Sequence, residues 1–323
     1  MTKRVAAIDC GTNSLRLLIA DVEVARHELT DVQRRMEIVR LGQGVDATGM
    51  LAPAALDRTF RVLADYARQI ATAGATAVRM VATSATRDAS NAQEFARGVF
   101  DILAVPPEVI SGEEEARLSF AGATAELAAA RPGPRPEPPY LVVDIGGGST
   151  EFVLGAGSAA EPGAASDGLA AISVDIGCVR LTERHLHADP PTAAQVREAS
   201  ADIEKQLDRV AATIDVQQAS TLVGLAGSIT TVTAIALDLP VYDPALTHHA
   251  RISAAAVHEV TVRLLGQTRQ QRAAIGALHP GRVDVIGAGA LVLDLVMQRF
   301  GFGEFVTSEH DILDGIAWSI ASD

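Results

Sequence analysis

The clearest periodic segment is PAALDRTFRVLADYARQIA at residues 53–71, where Leu56, Phe60, Leu63, Tyr66, Ala67 and Ile70 fall on one face. That spacing predicts an amphipathic helix. The apolar run AVRMVA at 77–82 predicts a buried strand, and TSATRDASN then places Thr86, Arg87 and Asp88 between it and a helix beginning near Asn91. Residues 107–110 predict another strand. Ser111 is positioned to cap the next helix, whose early acids Glu113, Glu114 and Glu115 sit at its positive end. Capping accounts for two of these acids and leaves the third in surplus.

Further along, YLVVDIGGGSTEFVLG at 140–155 sets two strand-like runs, Leu141–Val143 and Phe152–Leu154, on either side of Gly146, Gly147 and Gly148. A tight hairpin explains a turn, but three glycines in a row cost backbone entropy. A Gly/Ala/Ser-rich loop over 155–168 and a helix over 191–214 follow. TLVGLAGSITTVTAIAL predicts a strand turning through Gly224 and Gly227 into a helix, and DVIGAGALVLDLVMQRF predicts the same plan with Gly287 and Gly289. A last strand at 304–306 precedes SEHDILDGIAWSI, a helix with Ser308 as its cap. The alternation predicts α/β layers with glycine-rich turns at strand ends, where ligands commonly bind.

One of these patterns occurs twice. Aligning Asp9 in AAIDCGTNSLRLLIADV with Asp144 in LVVDIGGGSTEFVLG puts Gly11 on Gly146, Ser14 on Ser149 and Leu17 on Phe152. A repeat at 135 residues' spacing predicts two related lobes, each opening on the same hairpin. RPGPRPEPP at 131–139, with five prolines in nine residues, predicts a stiff connection near the lobe boundary.

Composition limits the functional classes. The 323 residues, 48% of them hydrophobic, are enough for two cores. With 27 basic and 40 acidic side chains the formal charge is -13, which argues against non-specific attraction to nucleic acid or anionic membrane. Cys10 and Cys178 lie in apolar settings and do not form a disulfide framework. MTKRVAAIDCG lacks the apolar core of a secretory signal, and no apolar run reaches the length of a membrane span. The expectation is a soluble cytoplasmic protein.

No P-loop and no strict GxGxxG pattern occurs. The special turns instead offer glycine-exposed amides with the polar side chains of Thr12, Asn13, Ser14, Ser149 and Thr150, a composition suited to phosphate oxygens. Asp9 and Asp144 beside such turns would repel phosphate unless a cation intervened, and magnesium suits oxygen ligands; simple turn capping is the alternative for each. Hydrolysis also needs a group to orient water, for which the surplus carboxylate among Glu113, Glu114 and Glu115 and the strand-end Glu151 are the candidates. Arg16, Arg87 and Arg117 could clamp a polyanion, although Arg117 at i,i+4 from Glu113 also fits a plain helix ion pair.

Taken together, IDCGTNSLRLLIADV (8–22), VRLGQGVDATG (39–49), VATSATRDASN (81–91), VISGEEEARLSFAG (109–122), VVDIGGGSTEFVLG (142–155), GLAGSITT (224–231) and SEHDILDGIA (308–317) resemble the exopolyphosphatase and guanosine pentaphosphate phosphatase family. The resemblance implies a duplicated actin-like, ribonuclease H-like fold with mixed five-stranded sheets flanked by helices and a cleft between lobes. It implies lobe I over 1–130, completed by a C-terminal helix at 307–323, and lobe II over 131–306. It implies Glu115 as the catalytic glutamate that orients water, with Glu151 and Arg87 as further catalytic residues. Gly11, Thr12, Asn13, Ser14, Arg16, Gly146, Gly147, Gly148, Ser149, Thr150, Arg117, Gly227 and Ser228 would bind phosphate, and Asp9, Asp144 and Glu151 the metal. Magnesium is the implied cofactor, with manganese as its substitute, and a homodimer the implied assembly. Longer members carry further helical domains that this chain lacks, so the short two-lobe form is expected. The substrate stays open between inorganic polyphosphate and pppGpp, and a weakly catalytic polyphosphate or nucleotide sensor is the alternative from another class.

Overall fold

The computed structural model describes residues 2–125, 127, 135–156 and 168–322. The first part of the proline-rich stretch and most of the loop expected over 155–168 lie outside them. The described chain divides into two compact units, residues 2–125 with 310–322, and residues 127, 135–156 and 168–309.

In the first unit the order is β1 (Lys3–Cys10), β2 (Ser14–Glu23), β3 (Glu28–Ile38), α1 (Val45–Thr48), α2 (Pro53–Ala73), β4 (Ala77–Ala82), α3 (Ser84–Arg87), α4 (Ala92–Leu103), β5 (Glu108–Val109) and α5 (Gly112–Thr124). The sheet runs β3-β2-β1-β4-β5. β1 is central and buried from Val5 to Cys10, pairing antiparallel with β2 and parallel with β4. The helix foreseen over 53–71 buries Leu56, Leu63, Tyr66 and Ile70 against one face of this sheet. Gly74 ends it in the left-handed conformation at φ 70°.

The second unit contains β6 (Tyr140–Ile145), β7 (Thr150–Gly155), β8 (Ala170–Val174), α6 (Cys178–His185), α7 (Ala193–Thr213), β9 (Thr221–Leu225), α8 (Ala226–Ala236), α9 (Pro244–Thr247), β10 (Arg251–Ser253), α10 (Ala254–Gly266), α11 (Arg269–Ala273), α12 (Ile286–Phe300) and β11 (Glu304–Thr307). Its sheet runs β10-β11-β9-β6-β7-β8. Matching β6, β7, β8, β9 and β11 to β1 through β5 gives one order and one set of strand directions, two antiparallel pairings followed by two parallel ones. The fold is therefore duplicated, two mixed α/β sheets flanked by helices.

Three expectations need correction. The second sheet has six strands rather than five, because β10 pairs antiparallel with β11 and covers what would be an open edge. DVIGAGALV does not begin as a strand: Val285 already has helical backbone, and Gly287 and Gly289 lie inside α12. A Cβ on Gly289 would come 2.4 Å from Ser228 Oγ, so that glycine marks close helix packing rather than a turn. Ser308 is not the cap of the last helix, since its amide donates to the Gly224 carbonyl at 2.8 Å and prolongs the β11–β9 pairing. The helix α13 (Ile312–Ser322) begins later, where Asp311 Oδ1 accepts from the Leu313 amide at 3.0 Å.

α13 belongs to the first unit and buries Ile312, Leu313, Ile316 and Ala317 among Val5, Ala7, Leu18 and Val81. It crosses α5 with glycine on both sides. A Cβ on Gly122 would lie 1.8 Å from the Asp311 carbonyl oxygen, and one on Gly315 would lie 2.1 Å from that of Leu118. Asp314, buried, is held by Arg34 of β3 at 2.6 Å and by His310 Nδ1 at 2.9 Å. Burial alone would raise the Asp314 carboxyl, but the His310 bond and the Arg34 charge outweigh it and hold the group well below the usual carboxylate range.

Gly122→Ala is expected to reduce the unfolding free energy by about 1–3 kcal/mol in urea, since neither helix backbone has room to yield; an unchanged midpoint would contradict the close crossing. Because the Asp314 carboxyl lies below its unfolded value of about 3.8, its stabilisation is present above that pH and is lost as pH falls through the lower folded value. Asp314→Asn is expected to cost about 3–5 kcal/mol at neutral pH. The gap to the unsubstituted protein should narrow on acidification below about pH 4, and a pH-independent gap would count against this pairing.

Candidate active site

Each unit presents the same turn at the end of its central strand. The Gly11 amide donates to the Ser14 carbonyl at 3.0 Å, and the Gly146 amide donates to the Ser149 carbonyl at 3.0 Å. In the first hairpin Asp9 faces Arg16 across the ladder, and in the second Asp144 faces Glu151. Residues directly opposite on antiparallel strands share a face with Cβ atoms about 4.5–5.5 Å apart. One framework thus carries an acid–base pair in one unit and two acids in the other.

In the first unit Arg16 Nε and Nη2 both donate to Asp9 Oδ2, at 2.9 and 2.7 Å, and Nη1 donates to Asp311 Oδ2. Asp9 Oδ1 is buried and has no hydrogen-bond partner among the described residues. Burial pushes the Asp9 carboxyl above its ordinary value, with the Arg16 charge opposing the shift and the Asp311 charge adding to it. The turn is pinned from behind by VRLGQG. Asn13 O accepts from the Val39 and Arg40 amides at 3.0 and 2.8 Å, and Thr12 O accepts from Gly42 at 2.8 Å. The Thr12 hydroxyl shares a hydrogen bond with Ser84 at 2.9 Å.

Glu115 and Arg87, which the sequence places 28 residues apart, meet in this same unit. Arg87 Nη1 lies 3.2 Å from Glu115 Oε2 and donates to the Ile110 carbonyl at 3.0 Å. Ser111 Oγ accepts from the Glu114 amide at 3.2 Å, so the cap forms as expected and leaves the buried Glu115 carboxylate for Arg87. Arg117 is exposed. Two residues along a helix turn the side chain by about 200°, so Arg117 faces away from Glu115.

In the second unit Gly146 O and Gly147 O accept from the first amides of α6: Cys178 at 3.0 Å, Val179 at 2.9 Å and Arg180 at 3.1 Å. With the carbonyls so committed, no described residue accepts from the Gly147 or Gly148 amide. A Cβ on Gly177 would sit 2.2 Å from Gly147 O, so the approach requires glycine. Ser149 is buried, and the Thr150 hydroxyl is spent on Ile176 O at 2.7 Å, which makes it a structural contact. Asp144 and Glu151 are buried side by side, and Ser173 donates to Glu151 Oε1 at 2.7 Å.

The Gly227–Ser228 turn has partners that sequence reasoning missed. Arg282 lies flat on Gly227, where a Cβ would come 2.2 Å from Nη2. Burial raises the pKa of the Cys178 thiol, with the nearby Ser228 hydroxyl and Arg282 charge opposing the shift. Arg180, also missed, donates from Nε to Gly148 O at 2.6 Å. Its signal was its place in VDIGCVR, in the first turn of α6; Arg282 had none, because its partner is 55 residues away.

The donor set fits a hard cation, since every candidate ligand is a carboxylate oxygen. Adjacent buried carboxylates such as Asp144 and Glu151 repel when both are ionised, and a cation removes that cost. The described residues hold no cluster of three or more His, Cys, Asp or Glu side chains that would cage a metal unaided. Magnesium rarely uses such a cage, taking one or two carboxylates with waters and substrate phosphates. No described helix is long and apolar enough to cross a membrane.

Comparison with known proteins agrees with this architecture. Residues 18–322 match the Ppx/GppA phosphatase family. Exopolyphosphatase 2 of Mycobacterium tuberculosis is 50% identical, with 98% of each chain covered. The crystal structure of an exopolyphosphatase-like protein superposes with a TM-score of 0.90 at 42% identity over 98% of this chain and 97% of that one. The Ppx/GppA family member of Aquifex aeolicus gives a TM-score of 0.80 at 31% identity, covering 99% of this chain and 97% of its own. A match from the second strand to the final helix, carried on a duplicated sheet with the same turn at each centre, means that the chain belongs to the Ppx/GppA phosphatase family.

Proposed function

We propose that this protein removes the terminal phosphoryl group of inorganic polyphosphate by hydrolysis. The observation that carries the reading is the Glu115–Arg87 pair, a buried carboxylate kept near a fixed cation at the first turn of α5. Its weight comes from the company it keeps: an exopolyphosphatase with half of its residues identical over nearly the whole chain. In the reaction Glu115 takes a proton from water while the water oxygen bonds to the terminal phosphorus. The bond from that phosphorus to the bridging oxygen breaks, and the shortened chain leaves with the electron pair.

Arg87 pairs with the Glu115 carboxylate and limits its rotation. The Gly147 and Gly148 amides bind phosphate oxygens, as do the Thr12 and Asn13 amides of the first turn, while the Gly11 and Gly146 amides close their own turns. A divalent cation, magnesium or manganese, would neutralise phosphate charge, with Asp144 and Glu151 to hold it in one unit and Asp9 Oδ1 as an open oxygen in the other. Thr12 and Thr150 serve the turns themselves, given their bonds to Ser84 and Ile176. The same reading includes a cytoplasmic homodimer.

Orthophosphate release from polyphosphates of defined length is expected to require added magnesium and to stop with a chelator. Glu115→Gln is expected to lower kcat by about 10²–10⁴-fold with little change in KM; wild-type turnover in that variant would remove Glu115 from the mechanism. With polyphosphate and pppGpp in one assay, polyphosphate is expected to be consumed first. Preferential loss of the pppGpp 5′-phosphate would move the protein to the other branch of the family, and tight binding of both without turnover would make it a sensor.

A further inference from the structure

Arg16 looks from sequence like a free phosphate clamp, yet its three guanidinium nitrogens are occupied by carboxylates. Nε and Nη2 converge on Asp9 Oδ2, and Nη1 reaches Asp311 Oδ2. The result is that Asp9 is gripped by one oxygen only, while Oδ1 stays buried and without a partner among the described residues. Asp311 is fixed as well, because its Oδ1 caps the Leu313 amide at 3.0 Å and its backbone lies against Gly122.

We propose that Asp311 is a positioning residue that acts through Arg16, holding the guanidinium so that Asp9 presents Oδ1 to the ligand side of the turn. The C-terminal segment thereby serves the Asp-x-Gly turn as well as the core. Without Asp311 the Nη1 arm of Arg16 loses its anchor, and the guanidinium and the Asp9 carboxylate it grips can shift together about their side-chain bonds, so that the open oxygen is no longer fixed. Misplacement of such a group affects the reacting geometry more than ground-state binding. The proposal rests on the hydrolytic reading above for its kinetic arm, but not for its spectroscopic one.

The test uses the full chain with Asp311→Ser, which retains an oxygen for the helix cap but is too short to reach Arg16, and Asp311→Asn as the second variant should the serine protein be too unstable. Phosphate release from polyphosphate is expected to show kcat lowered about tenfold or more with KM within about twofold. In an Asp9→Asn background the Asp311 change is expected to add no further loss. Nitrogen-15 NMR of the arginine side chains should show a slowly exchanging Arg16 Hε in the parent and fast exchange in the variant. A KM effect alone, additive losses, or an Arg16 Hε that stays protected would overturn the proposal. Lost Hε protection in a protein whose parent does not hydrolyse polyphosphate would uphold the positioning and defeat the functional reading instead.

Discussion

The first unit depends on a contact between backbones. α5 and α13 cross where Gly122 and Gly315 leave no side chain between them, and a Cβ at either position would penetrate the other helix. The crossing fixes two chemical groups together. Glu115 stands at the start of α5, and Asp311 immediately before α13, so the separation of these helices sets where both carboxylates reach. The burial of Ile312, Leu313 and Ile316 supplies the hydrophobic drive, while the Arg34–Asp314–His310 cluster fixes the helix's rotation.

Duplication has produced one turn with two electrostatic characters. At equivalent ladder positions one hairpin has Arg16 and the other Glu151, opposite Asp9 and Asp144 respectively. In the first, the carboxylate charge is met by a guanidinium inside the protein. In the second, two acids share a buried face. The backbone, down to the hydrogen bond that closes each turn, is the same. The same strand–turn–strand device thus carries an acid opposite a base in one unit and two acids in the other.

Much of this was legible in the chain. The helical face Leu56, Leu63, Tyr66 and Ile70, the capped acids after Ser111 and the Asp9/Asp144 repeat are local patterns, and local patterns survive in sequence. The edge strand β3, ELTDVQRRMEI, did not announce itself, because most of its side chains face solvent and its apolar alternation is weak. α12 was misread at its start because glycines that admit Ser228 look like turn glycines until the neighbouring helix is known. The same limit hid the approach of Arg282 to Gly227 and the contact of Asp311 with Arg16. Their meaning lies in partners 55 to 295 positions distant.

The proposed hydrolysis turns on water attacking the terminal phosphorus under the direction of Glu115. Hydrolysis of polyphosphate in water enriched in oxygen-18, followed by mass analysis of both products at early times, tests this most directly. One labelled oxygen in each released orthophosphate, with none in the remaining polymer, is the predicted result. Label in the polymer end, or orthophosphate released without it, would contradict attack at the terminal phosphorus.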